Sequence, residues 1–107
     1  MKNYVSKGFW TRKGKPTQMT VLAYLYILKN LPKGKTIADV NNTLIKRAQR
    51  FVGIPASKDS TLILRWGINP GCALSKTSSE RYIAMSKGLD MAKMMIATGL
   101  ELSTVSP

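Results

Sequence analysis

Cations, not nucleophiles, dominate the reactive side chains of this sequence. Its 107 residues carry 17 Lys and Arg against five Asp and Glu, with no His and one Cys, Cys72. Without histidine, a His-dependent nucleophile triad and a His/Cys zinc site are both excluded, and a single cysteine excludes a disulfide framework within the chain. The five carboxylates are scattered and leave little for acidic metal chemistry. What the inventory supports is attraction of anions, and that attraction is lopsided. Residues 1–58 hold nine Lys and three Arg against Asp39 alone, a charge of +11. Residues 59–107 hold five bases against four acids, a charge of +1. A field of this kind draws nucleic acid, acidic protein or anionic lipid.

Two clusters carry the candidate chemistry. The first is a basic arm over residues 1–15, with Lys7, Arg12, Lys13 and Lys15 interleaved with Phe9 and Trp10. Lys and Arg neutralise phosphates, and aromatic rings stack on bases. The alternative is that Phe9 and Trp10 anchor the arm to the core while the lysines are solvated. The second cluster is Lys46, Arg47 and Arg50. It lies in the C-terminal half of an amphipathic segment, where cations also complement the helix dipole without any ligand.

Other motifs are weaker. Gly34-Lys35-Thr36 resembles the end of a phosphate-binding loop, but the glycine required five residues earlier is Lys29, so the backbone cradle is missing. Cys72 has no histidine to activate it. Ser75-Lys76 and Ser86-Lys87 suggest a Ser–Lys dyad, yet neighbouring residues on a helix or strand point apart. Methionines at the spacing of Met85, Met91 and Met94 more often fill a core, which suits Met85 and leaves some exposure open for Met91 and Met94. The expectation is a non-catalytic protein without cofactor or metal.

The elements that must position these residues follow from periodicity. Residues 17–31 read as a helix capped by Thr17, with apolar positions on most sides, stopped by Pro32 and Gly34. Thr36 to Val52 reads as one amphipathic helix, with Ile37, Val40, Leu44, Ile45, Ala48, Phe51 and Val52 inward. Thr36 caps it and Gly53 ends it. Asn42, Lys46, Arg47, Gln49 and Arg50 fall on the outer side. Ser57–Ser60 reads as a turn and Thr61–Trp66 as a strand. A last helix runs from a Thr77 cap to about Thr98, with Tyr82, Met85, Leu89, Ala92 and Ile96 buried and Gly99 beyond its end. Asn3–Ser6 and Leu100–Val105 are further strand candidates.

The first two helices, joined by a short Pro-Gly turn, suit ordinary α-hairpin packing. The competing reading is a helix-turn-helix with Asn41, Asn42, Lys46, Gln49 and Arg50 facing a DNA groove.

From Thr61 onward the chain resembles the pre-catalytic region of phage-type ATP-grasp proteins. The resemblance rests on Leu64-Arg65-Trp66-Gly67, Ile68-Asn69-Pro70, Ala84-Met85-Ser86-Lys87, Ala97-Thr98-Gly99-Leu100-Glu101 and Ser106-Pro107. It implies a Rossmann-like α/β layer preceding the catalytic part, in which the strand ends in Trp-Gly. The family's nucleotide-grasping lysines and metal-binding acids would follow Pro107, so no catalytic role is carried over to Lys87.

The expected fold is therefore α/β: a small single domain over residues 16–107, preceded by the arm, with three main helices on a short, partly parallel sheet. A mostly α domain is the alternative. The expected function is a phage-like binding protein acting on an anionic partner, either nucleic acid or an acidic host protein that handles it. The ATP-grasp front domain and the helix-turn-helix DNA binder are the alternatives. No apolar run approaches the ~20 residues of a membrane span. One cysteine and no apolar stretch after Lys2 point to the cytoplasm, the host's if the protein is phage-encoded.

Overall fold

Thr17 begins the first helix as the sequence predicts. In a computed structural model, which describes residues 15–55, 57–69 and 79–99, its hydroxyl accepts the Thr20 N–H at 3.2 Å. Helix α1 (Gln18–Lys29) follows and buries Thr20 to Leu25 and Ile27. A helix apolar on so many sides belongs at the centre of a fold. It packs against both α2 (Asn42–Val52) and α4 (Ser79–Ala97), while α3 (Lys58–Ile68) packs extensively on α4 and more lightly on α2.

The predicted helix over Thr36–Val52 is divided. Ile37–Asp39 form a 3₁₀ turn, Val40 is extended, and Asn41 starts α2 by accepting the Leu44 N–H at 2.9 Å. The physical reason is a second capping side chain. Thr36 donates its N–H and hydroxyl to Asp39 Oδ2, both at 3.0 Å, and closes its own turn. Five residues later the Asn41 side chain accepts the Leu44 N–H and opens α2, because a short polar side chain competes for the backbone bonds a continuous helix would need. These hydrogen bonds, the backbone N–H of Thr36 foremost, hold the Asp39 carboxyl below its ordinary range. Gly53 ends α2 at φ 87°, a left-handed conformation that suits glycine.

The α/β expectation is overturned. Among the described residues there are four α-helices and no strand, and Thr61–Trp66 lies inside α3. Its β-formers suggest a strand, but its burial has the helical period: Ser60, Ile63, Leu64 and Gly67 are all buried. Ser57 caps the helix, its Oγ accepting the Ser60 N–H at 3.1 Å while the Ser57 N–H reaches Ser60 Oγ at 3.1 Å. The cost of β-branched residues in a helix is a few tenths of a kcal/mol each, and burial outweighs it. The strand that the ATP-grasp resemblance requires at Leu64–Gly67 is thus helical. The candidate strands Asn3–Ser6 and Leu100–Val105, and the Thr77 cap, lie outside the described residues.

Gly67 explains why α3 sits so close to its neighbours. A Cβ built there would collide with the Tyr24 hydroxyl and lie 2.8 Å from the Met85 backbone. That space admits Tyr24, fully buried, whose hydroxyl donates to the Leu64 carbonyl. Burial pushes the Tyr24 phenol far above its ordinary range. The stripe of α4 matches expectation at Met85, Leu89 and Ala92, all buried, whereas Ile96 is exposed. Met94 is 65% and Met91 45% exposed, which sets them apart from the core methionine Met85.

Candidate anion-binding surface

Helix α2 positions the second predicted cluster. Leu44, Ile45, Ala48, Gln49 and Val52 occupy its buried side. At about 100° per residue, the opposite arc runs Asn42, Lys46, Arg50, Thr43, Arg47 and Phe51 around the helix, all exposed. Lys46, Arg47 and Arg50 therefore share one face.

That face opens on one side into a groove of about 440 Å³ between α2 and α3. Lys46 and Asn42 form one wall; Lys58, Thr61, Leu62 and Arg65 form the other. Every charged residue among the described lining residues is positive. Arg65 is held in place: its Nη2 donates to Asn42 Oδ1 at 2.7 Å and to the Val40 carbonyl at 3.1 Å, and its Nε donates to Asn42 Oδ1 at 3.2 Å. These partners are neutral oxygens, so they orient the guanidinium without cancelling its charge. Arg47, at the other end of the same arc, lines a depression of about 210 Å³ together with Lys35 and Asp39.

A buried polar cluster fixes the angle between the two groove walls. Gln49, fully buried, donates from Nε2 to Ser60 Oγ and accepts from the Thr61 hydroxyl at 2.9 Å. Ser60 Oγ also donates to the Pro55 carbonyl at 3.1 Å. These bonds tie α2, the connecting turn and the start of α3 together. They satisfy groups whose burial would otherwise be costly.

Sequence reasoning missed Lys58 and Arg65. Their separation of seven residues puts them on one face of a helix, a signal invisible once the segment is read as a strand. It also placed Gln49 outward and Phe51 inward; the structure reverses both, with Phe51 49% exposed. The same geometry shows where the residues of the helix-turn-helix reading sit. Asn41 is exposed and caps α2, Asn42 is exposed and holds Arg65, Lys46 and Arg50 are exposed, and Gln49 is buried. The connection from α1 to α2 is no short turn, since it spans residues 30–41 and includes the 3₁₀ turn.

Of the arm, Lys15 is described and exposed. Lys7, Phe9, Trp10, Arg12 and Lys13 lie outside the described residues, as do Cys72, Ser75 and Lys76. Ser86 donates its hydroxyl to the Ile83 carbonyl at 3.0 Å, back along its own helix. Among the described residues no three His, Cys, Asp or Glu side chains stand close enough to hold a metal ion. No helix among them is long and apolar enough to cross a membrane. No family model, curated protein or solved structure matches this chain.

Proposed function

We propose that this is a non-catalytic nucleic-acid-binding protein that holds phosphates along the exposed arc of α2 and in the α2–α3 groove. The observation that carries the reading is the continuity of positive charge. Lys46, Arg50 and Arg47 line one arc, and the groove beside it adds Lys58 and the oriented Arg65. Cations so arranged release condensed counterions when they meet a polyanion, which makes binding steep in salt. The charge of +11 over residues 1–58 supports the same reading.

The test is a salt titration of binding to labelled oligonucleotides, single- and double-stranded, followed by fluorescence anisotropy. Affinity should fall steeply with salt. Replacing Lys46, Arg47 and Arg50 together by Ala should reduce the slope of log K against log salt by about 2–3. Affinity indifferent to salt would sink the proposal. A pull-down that retains an acidic protein after nuclease treatment, and no nucleic acid before it, would transfer the surface to a protein partner.

A further inference from the structure

We infer that Phe51 is a base-stacking platform and that the nucleic acid on the α2 surface is single-stranded. The inference rests on the nucleic-acid reading above and gives it a strand preference. Phe51 is the apolar residue of α2 that stays outside the core: it is 49% exposed, whereas Leu44, Ile45, Ala48 and Val52 are buried. It is backed by Tyr26, whose ring centroid lies 4.9 Å away at an interplanar angle of 34°. One turn before it on the same face stands Arg47, and Arg50 precedes it directly.

A supported aromatic surface beside two arginines matches the chemistry of single strands. Their bases are free to leave the helical stack and lie on a ring while neighbouring phosphates meet cations. In a duplex the base faces are already stacked on one another, so the ring gains nothing from them. An acidic protein offers the arginines carboxylates but has no π-face at regular intervals for Phe51. The single strand uses both features at once.

The test compares three labelled probes of about 20 nucleotides, longer than the ~4–16 one small domain covers. These are oligo(dT), an abasic oligomer with the same phosphates, and a duplex, measured by anisotropy at one salt concentration. Wild-type protein should bind oligo(dT) about tenfold more tightly than the abasic strand. Phe51→Leu should lose most of that advantage and leave abasic binding unchanged, and Phe51→Trp should keep it. Thermal melts by circular dichroism check that both variants fold; if Phe51→Leu does not, Phe51→Trp carries the test by matching or exceeding the wild-type ratio. Equal binding of all three probes overturns stacking while leaving the electrostatic reading intact. An unaltered ratio in Phe51→Leu also overturns stacking, and no binding to any probe overturns both readings.

Discussion

Helix α3 is packed in opposite ways on its two sides. Against α4 it makes a close crossing, with Tyr24 of α1 inserted, in which Gly67 leaves room for the Tyr24 hydroxyl and the Met85 backbone. Against α2 it makes a looser joint, held by hydrogen bonds among Gln49, Ser60 and Thr61 and by the Arg65–Asn42 bridge, with a groove on its outer side. The difference teaches how one short helix serves stability and surface chemistry together. Packing that excludes even a methyl group leaves no room for a ligand. A joint fixed by a few directional polar bonds sets an angle while keeping the space between its walls open.

The largest effect is expected at the tight crossing. Gly67→Ala places a Cβ against the Met85 backbone, which cannot turn aside as a side chain can. It should destabilise the protein by about 2–3 kcal/mol despite the better helix propensity of Ala. Chemical denaturation measures this, and affinity per folded molecule for an oligonucleotide should stay unchanged. A neutral or stabilising outcome would break the distinction between the two faces of α3.

The same crossing predicts an alkaline limit. The folded-state pKa of Tyr24 is raised far above its value in the unfolded chain, so the folded state retains the proton longer. This contribution to stability is fully present below about pH 10 and declines as the pH rises above that, because only the unfolded chain releases the proton readily. Tyrosinate absorbance and helical signal should therefore change together for this residue, and Tyr24→Phe should remove its part of the pH dependence. Ionisation of Tyr24 near pH 10 in a chain still folded would contradict the buried crossing.

A smaller stability effect is expected at the polar joint. Gln49→Ala removes the partner of the Thr61 hydroxyl and one partner of Ser60, at a cost of about 1–2 kcal/mol. Ser60 keeps its bond to the Pro55 carbonyl, which limits the loss. If the joint sets the groove, this variant should weaken oligonucleotide binding severalfold in the population that remains folded, the reverse of the pattern at Gly67. Urea melts and anisotropy on the same samples separate the two readouts.

Legibility in the sequence followed the range of the interactions involved. Thr17, Gly53 and Gly99 mark helix ends through local hydrogen bonds and backbone conformation, and each is found where the sequence places it. The break at Val40–Asn41 is local too, but two adjacent capping signals, Thr36 and Asn41, compete, and apolar spacing alone runs through both. Helix α3 was illegible for a different reason. A short apolar run rich in β-formers satisfies a strand and a helix about equally, and the choice falls to burial against α4. Of the candidate site, Lys46, Arg47 and Arg50 were legible as one face of a helix. Lys58 and Arg65 were hidden behind the strand reading, and the exchange of Gln49 and Phe51 depended on which neighbours each would meet.

The sequence by itself determined the sign and asymmetry of the charge, the absence of histidine chemistry, the N-cap of α1 and the end of α2. These depend on composition or on contacts within a few residues. Only the tertiary structure decided that Thr61–Trp66 is helical, that Gln49 turns inward and Phe51 outward, and that Lys58 and Arg65 face Lys46 across a groove. Each of those outcomes is set by what lies across the helix–helix contact, where the free energy of burying a side chain exceeds the small preferences written into its own segment.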